Sequence, residues 1–280
     1  MKKNTISDKD IMLYKEYLIE NERSKATIEK YIRDVIFFRK YLSNKPFDKK
    51  IILEYKSFLK KQYALSSANS MLAAMNSFFK FKGMLEFCVK LFVLQNRIYC
   101  SDNMELSKDE YISLIKTAEK NNNIRLSLII QTICVTGIRI SELKFITIES
   151  IYKGEAEVSC KGKTRIVFLI NELRKRLLNY ARDNNIISGP IFITKKGNFI
   201  DRSNVWTEMK KLCLEANVSE CKVFPHNLRH LFARSFYEID KDIVRLSDVL
   251  GHSNINTTRI YIVSSGKEHL RKMENMTLLV

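Results

Sequence analysis

Six side chains of this sequence have the chemical types that suit a reaction at a phosphodiester. They are Arg139, Lys161, His226, Arg229, His252 and Tyr261. A phosphodiester in transfer gains negative charge on its non-bridging oxygens, and guanidinium and imidazole donors stabilise that charge without a metal ion. A tyrosine hydroxyl is a nucleophile that can hold the phosphate covalently. The set therefore indicates phosphoryl transfer through a covalent intermediate, with no cofactor.

The motif HNLRH, residues 226–230, contains two of these residues. A helix that begins after Pro225 would place His226 and Arg229, three residues apart, on one face. Taken alone, the motif fits a capping histidine beside a surface arginine equally well. His230 lies four residues from His226, a spacing that occurs in metal sites, but no third ligand follows. We therefore expect no metal site and a structural hydrogen-bonding role for His230.

The segment LGHSNINTTRIYI, residues 250–262, contains the second histidine and the tyrosine. Gly251 permits a sharp turn that can expose His252. Tyr261 follows nine residues later, on what the pattern predicts to be a separate short helix. A tyrosine in such a place is more often a half-buried packing residue than a nucleophile. The ordered occurrence of all six residues in one basic chain is what favours catalysis.

The motif TGIRISEL, residues 136–143, contains the first arginine. Gly137 is predicted to end the helix that precedes it, so that Arg139 extends from a fixed backbone. Alone, this signal is weak, because an arginine at a helix start is usually a solvated charge. We expect Glu142 to orient Arg139 or to pack locally rather than to act as a base.

Two strand-like runs, EAEVS and RIVFL, flank a tight basic turn from Cys160 to Thr164. They predict a β-hairpin whose tip presents Lys161 and Lys163. The ordinary interpretation of either lysine is a solvated charge, or a contact with a nucleic-acid backbone. Farther along, the apolar run Ile191–Ile193 is compatible with an additional strand.

The first 85 or so residues show the three-and-four spacing of amphipathic helices. Four apolar stripes begin near Ile11, Ile28, Ile51 and Leu65, with lysines and arginines between them. The chain has only 8 glycines and 3 prolines in 280 residues, which predicts a mainly helical protein. Its amino-terminal part should form a small basic four-helix bundle.

We place a domain boundary where this periodicity fades. Residues 1–98 form the helical domain, residues 99–103 a short linker, and residues 104–280 a second domain. The second domain begins near Ser107 and Glu110, which form a capping box, and its mixture of helices with a hairpin is of the α+β class. A chain of this length can bury two separate cores.

The formal net charge of +17 is spread along the chain. Such a field favours polyanionic partners and salt-dependent binding, but it does not distinguish DNA, RNA or an acidic membrane. The six cysteines have no C-x-x-C spacing, which predicts reduced thiols in a cytoplasmic protein. No apolar run is long enough to predict a signal peptide or a membrane span.

The chain resembles the tyrosine recombinases, the family of phage integrases and Xer-type enzymes. The likeness rests on TGIRISEL, the hairpin lysine, H-x-L-R-H, LGH and the late tyrosine. The intervals of 23 residues from Arg229 to His252 and of nine from His252 to Tyr261 also suit the family. The amino-terminal bundle matches only in helical pattern and basic character. The resemblance implies a SAM-like core-DNA-binding domain and a catalytic domain that clamp opposite faces of a duplex.

The resemblance also implies a role for each residue. Tyr261 attacks the scissile phosphate, forms a 3′-phosphotyrosyl bond and releases a 5′-hydroxyl. Because free tyrosine is mostly protonated at neutral pH, its proton needs an acceptor, for which we expect His226. Arg139 and Arg229 hold the non-bridging oxygens with planar bidentate donors, and His252 adds a hydrogen bond to one of them.

Lys161 is the expected general acid for the departing 5′-oxygen. The family's pattern favours the lysine directly before the glycine. This hairpin is a residue or two shorter than the pattern, which leaves Lys163 as an alternative.

The implied activity is site-specific DNA recombination. A phosphotyrosyl bond keeps the free energy of the broken diester, so another 5′-hydroxyl can reverse the step without ATP or a divalent ion. The implied partners are double-stranded DNA and a homo-tetramer, in which an apolar tail, Leu278–Val280, docks on the next subunit. No motif encodes an accessory directionality factor, although the activity is compatible with one. Because the first helix begins near Ser7, we expect no arm-type DNA-binding domain and action on simple core sites.

Two alternatives stay open at the level of the sequence. A type IB topoisomerase uses similar chemistry to relax DNA and reseal the same strand. A non-catalytic DNA-binding protein could keep the same fold without cleavage.

Overall fold

The computed structural model describes residues 4–43, 45–93, 105–160, 163–194, 197–261 and 274–275. The chain divides into two compact units, Met1–Asn96 and Arg97–Val280. The predicted linker, residues 99–103, lies outside the described residues, and each unit is described by itself. Both units are mainly helical, as predicted. Within the described ranges, no helix has both the length and the apolar character that crossing a membrane requires.

The first unit is a bundle of α1 (Asp8–Glu20), α2 (Lys25–Tyr41), α3 (Lys49–Gln62) and α4 (Leu65–Phe81). The first three helices begin after a polar residue whose side chain accepts a hydrogen bond from the first turn. These capping residues are Ser7, Ser24 and Asp48. The apolar stripes meet in an aromatic core that includes the fully buried Tyr14, Phe38, Tyr55 and Phe79. The predicted four-helix bundle is confirmed.

After a short 3₁₀ helix, Leu85–Phe87, the chain runs along α4. The side chain of Asn76 both donates to and accepts from the backbone of Val89, and Asn69 does the same with Phe92. Each side-chain amide thus satisfies backbone groups that have no strand partner. The loss of helical periodicity after α4 therefore corresponds to a segment that two asparagines hold in place.

The second unit is larger, and its elements follow in chain order. They are α5 (Lys108–Lys120), α6 (Ile124–Thr136), a 3₁₀ helix (Ile140–Phe145), α7 (Ile148–Lys153), β1 (Glu155–Cys160), β2 (Lys163–Phe168), α8 (Asn171–Asp183), α9 (Arg202–Ala216), α10 (Pro225–Asp240), α11 (Ile243–Leu250) and α12 (Ile255–Arg259). The predicted capping box of Ser107 and Glu110 starts α5. Helix α6 is apolar almost all round and packs against α5, α8, α9 and α10. Its C-terminal end therefore lies at the centre of the unit.

Strands β1 and β2 form an antiparallel two-stranded sheet. Glu155 lies opposite Phe168 at one end, and Cys160 lies opposite Lys163 at the other. The predicted hairpin is confirmed, but its strands are longer than the sequence suggested. Only residues 161–162 separate the strands, rather than the five residues from Cys160 to Thr164, because the backbone pairing continues into the basic segment.

The additional strand at Ile191–Ile193 does not form. In the described residues, this run makes only an isolated bridge between Ile193 and Phe199. Ile191 and Phe192 are completely buried, so their apolar character reflects packing in the core. Periodicity alone does not separate a short buried run from a strand.

Candidate active site

Arg229 lies in the first turns of α10, the helix that begins at Pro225, and only 1% of its surface is exposed. Its guanidinium donates to the carbonyl oxygens of Gly137 and Leu250, the second at 2.6 Å. These carbonyls lie at the C-terminal ends of α6 and α11, so one planar group links three helices. Burial is the main cause that lowers the pKa of Arg229 to about 10. The guanidinium therefore remains a cation at neutral pH.

Arg139 follows the C-terminal end of α6 through a glycine turn. Gly137 has a φ of 64°, and a Cβ at this position would lie 2.4 Å from Cδ1 of Phe232, so the turn requires glycine. The backbone N–H and Nη1 of Arg139 donate to the two carboxylate oxygens of Glu142, at 2.8 and 2.9 Å. Glu142 is buried. It fixes the direction of the partly exposed Arg139, in agreement with its expected orienting role.

Arg165, on β2, also contacts Glu142, and the sequence interpretation did not include it. Its Nη1 and Nη2 donate to Oε2 of Glu142 at 3.3 and 3.0 Å, and its Nε donates to the carbonyl of Val249 at 3.2 Å. The carboxylate of Glu142 therefore lies between Arg139 and Arg165. The available signal was the strand alternation, which places Arg165 and the buried Val167 on the same face of β2.

His252 follows Gly251, whose φ of 65° ends α11 in the left-handed region. Its Nε2 lies 3.0 Å from Nη2 of Arg229, and its Nδ1 lies 2.8 Å from Oγ1 of Thr258. A guanidinium only donates hydrogen bonds. Nε2 must therefore accept from Arg229, and Nδ1 carries the proton that is donated to Thr258. This neutral tautomer agrees with a pKa of His252 lowered to about 4, mainly by burial and then by Arg229.

Tyr261 lies two positions beyond the last residue of α12, in the turn where its N–H donates to the carbonyl of Thr258. The predicted short helix exists, but the tyrosine follows it rather than belonging to it. Only 3% of the Tyr261 surface is exposed. Its ring packs against the rings of His230, His252 and His226, with centroid distances of 4.2, 5.4 and 5.5 Å.

The hydroxyl of Tyr261 faces the polar part of this cluster. It lies 3.5 Å from Nε2 of His226 and also interacts with the guanidinium of Arg229. Burial, with Arg229 and Arg139 nearby, lowers the pKa of His226. A neutral imidazole has a free nitrogen lone pair, so His226 is able to accept the phenolic proton.

His230 contributes packing to this cluster. The contacts that the described residues give it are with rings, those of Tyr261 and, edge to face at 4.8 Å, of His226. Burial lowers the pKa of His230 to about 3, and a neutral ring packs more favourably there than a charged one. The hydrogen bond that we expected for His230 is not among these contacts. In the described part of the chain, no group of three or more potential ligands is arranged for a metal ion.

The two candidate lysines lie at the limit of what the structure describes. Lys161 lies outside the described residues. Lys163 begins β2, with its backbone opposite Cys160, and its side chain is not described. The choice between them stays a prediction. The other five predicted residues, Arg139, His226, Arg229, His252 and Tyr261, come together in one unit, where the charge of Arg139 acts on both histidines and on Arg229.

Comparison with known proteins gives matches to both units. The family model described as Phage integrase family matches residues 105–268, and the model described as Phage integrase, N-terminal SAM-like domain matches residues 11–83. Tyrosine recombinase XerA of Pyrococcus furiosus is 28% identical over 100% of this chain and 98% of its own. Tyrosine recombinase XerA of Pyrococcus horikoshii is 30% identical over 91% and 89%.

A solved structure has a similar fold along almost the whole chain. It is the XerH site-specific recombinase bound to a palindromic difH substrate in a post-cleavage complex. The TM-score is 0.72, over 99% of this chain and 91% of that one, with 18% sequence identity. At this level of identity, the likeness concerns the fold.

Proposed function

Because the chain belongs to the phage integrase family and is a tyrosine recombinase, we propose that Tyr261 is the nucleophile with which it cleaves DNA. The observation that carries this proposal is the place of the hydroxyl. It lies within its own subunit, 3.5 Å from Nε2 of His226 and beside the buried cation of Arg229. A proton acceptor and a site for an anion thus lie at the same phenolic oxygen.

In the cleavage step, the phenolic oxygen of Tyr261 forms a bond with the scissile phosphorus, and the bond from phosphorus to the 5′-oxygen breaks. The phenolic proton goes to Nε2 of His226, which is neutral and free to accept it. Lys161 gives a proton to the departing 5′-oxygen, since an alkoxide is a poor leaving group. The products are a 3′-phosphotyrosyl bond and a free 5′-hydroxyl.

The cations stabilise the charge that develops on the non-bridging oxygens. Arg229 is held by backbone carbonyls and Arg139 by Glu142, so neither guanidinium needs to reorganise when the phosphate arrives. In the DNA-free protein, both nitrogens of His252 are already engaged. The negative phosphate favours protonation of His252, after which Nε2 donates to a phosphate oxygen while Nδ1 stays bonded to Thr258.

Strand exchange follows from reversal of the same chemistry. A 5′-hydroxyl from a second duplex attacks the phosphotyrosyl bond, regenerates the diester and releases Tyr261. Exchange between two core sites uses four protomers, two on each duplex. We propose that the carboxy-terminal tail, which ends at Leu278–Val280 outside the described residues, links neighbouring protomers in this tetramer.

Covalent capture tests the proposal on DNA of any sequence. Purified protein is incubated with sheared DNA from its own source organism and denatured with detergent, and the protein-linked fragments are sequenced. The wild type should retain fragments that share one cleavage position, and Tyr261→Phe should retain none. Absence of linked DNA with the wild type, or equal capture by the variant, would contradict the proposal.

A plasmid that carries two copies of the captured sequence separates recombination from relaxation. Recombination yields deletion or inversion products of defined length. Relaxed plasmid without recombinant product would instead indicate a topoisomerase activity.

A further inference from the structure

We propose that Arg165 is a positioning residue of the cleavage reaction, which holds Arg139 and the turn carrying His252 in the arrangement that receives the phosphate. This inference rests on the function proposed above. It arises from three contacts of one side chain, with the 3₁₀ helix that follows Arg139, with the end of α11 and with the glycine turn before His252.

The first contact concerns the charge at Glu142. This buried carboxylate accepts two hydrogen bonds from Arg139 and two from Arg165. One negative charge is thus shared by two guanidinium groups, and the cluster keeps a net positive charge. Without Arg165, Glu142 would neutralise Arg139 alone. The guanidinium that meets the phosphate would then offer less positive potential and a less defined direction.

The second contact concerns the turn. Nε of Arg165 donates to the carbonyl of Val249 in the last turn of α11. The aliphatic part of the same side chain packs on Gly251, where a Cβ would lie 2.7 Å from Cδ of Arg165. His252 is the next residue. Arg165 therefore sets the distance between the hairpin and the turn that presents this histidine.

The chain contains a matched arginine that makes similar contacts away from the site. Arg174, on α8, donates to the carbonyls of Ile151 and Tyr152 at 2.7 Å each, in the last turn of α7. It also packs on the glycine that ends that helix, where a Cβ at Gly154 would lie 3.2 Å from Nη1 of Arg174. Arg174 thus links one helix to the end of another without contacting Glu142. It is a control for the structural part of the role.

The test compares Arg165→Gln, Arg165→Lys and Arg174→Gln with the wild type. The readout is the single-turnover rate of covalent adduct formation at saturating protein. The substrates are suicide duplexes that contain the captured cleavage sequence, with either a normal phosphate or a methylphosphonate at the scissile position. A methylphosphonate lacks one charged oxygen, so its cleavage depends less on the guanidinium groups. Thermal melting confirms that each variant is folded.

On the normal phosphate, we expect Arg165→Gln to be slower than the wild type by about 10–100-fold, as is common when a supporting hydrogen bond is lost. On the methylphosphonate, the difference should shrink to within about threefold, because the charge that Arg165 helps to stabilise is absent. Arg165→Lys, which keeps the charge without the planar fork, should show a smaller loss with the same rescue. Arg174→Gln should change both rates by one common factor.

Three results would overturn the inference. They are no loss in Arg165→Gln, equal loss on both substrates, and rescue by a 5′-bridging sulfur but not by the methylphosphonate, which would assign Arg165 to the leaving-group side. Failure of the wild type to form any adduct would instead contradict the proposed function itself. The two failures are therefore distinguishable.

Discussion

The ring of Tyr261 lies nearly parallel to the imidazole of His252, with 14° between the planes and 5.4 Å between the centroids. The tyrosine is thus docked inside its own subunit rather than presented to solvent. The aromatic ring supplies the packing, and the hydroxyl supplies the contacts with His226 and Arg229. These two parts of the side chain can be separated by substitution.

Replacement of Tyr261 by phenylalanine should abolish covalent adduct formation and leave the fold intact. The ring contacts with His230 and His252 remain, so the free energy of unfolding should change by no more than about 1 kcal/mol, the usual net value of one hydrogen bond. Denaturing gels measure the adduct, and denaturant titration measures stability. A residual adduct at the wild-type rate would show that another residue is the nucleophile.

The two arginines should respond differently to replacement by lysine. Arg229→Lys leaves the buried carbonyls of Gly137 and Leu250 without their shared donor. At about 1–3 kcal/mol for each unsatisfied group, the variant should lose about 2–4 kcal/mol of stability as well as cleavage activity. Arg139→Lys should lose cleavage with less than about 1 kcal/mol of destabilisation, because its side chain is 34% exposed. Equal destabilisation of both variants would contradict this distinction.

Gly251→Ala should disturb both stability and cleavage. Alanine is strained at a φ of 65°, and its Cβ would overlap Cδ of Arg165. We expect a loss of about 2–4 kcal/mol in denaturant titration, from backbone strain and overpacking together. Gly189 is the matched control, since its φ is 73° and a Cβ there would meet nothing within 4 Å. Gly189→Ala should lose only about 1 kcal/mol and retain cleavage.

His230 should make the DNA-free protein less stable as the pH falls. Its pKa is lowered to about 3, whereas an unfolded histidine titrates near 6.5. Between these values the unfolded chain binds a proton that the folded protein does not. The stability contribution is therefore complete above about pH 6.5 and is lost progressively toward pH 3. His252, with a pKa of about 4, acts in the same direction.

The variant His230→Asn should reduce this slope. One proton corresponds to at most about 1.4 kcal/mol for each pH unit, and urea titrations at pH 5, 6 and 7 measure the difference. At pH 7 the comparison isolates the loss of ring packing from the loss of titration. Identical slopes for the two proteins would mean that His230 does not titrate differently in the folded state.

The general acid is identified by a leaving group that needs no proton. In a duplex with sulfur at the bridging 5′-position, the departing thiolate is far less basic than an alkoxide. Lys161→Ala should be cleaved slowly on the normal substrate and at nearly the wild-type rate on the sulfur substrate. Lys163→Ala serves as the control and should be changed little on either. The reverse pattern would assign the acid to Lys163.

Much of this architecture is determined by the sequence itself. The apolar spacing from Ile11 to Phe79 specified the four-helix bundle, and Ser107 with Glu110 specified the start of α5, because capping and amphipathicity are local. Gly137 and Gly251 likewise indicated helix ends, since few other residues adopt a positive φ. The types and order of the six candidate residues indicated the family, and the matched family model confirmed it.

The tertiary structure decided how these residues are connected. Arg165 and Glu142 lie 23 positions apart, and no periodicity links a strand to the 3₁₀ helix that it contacts. The proton of His252 could be placed on Nδ1 only because Arg229, from another helix, occupies Nε2. Tyr261 became a docked nucleophile rather than an ordinary buried ring through its contacts with three histidines. Such contacts depend on how helices pack in space, and a linear pattern does not contain that information.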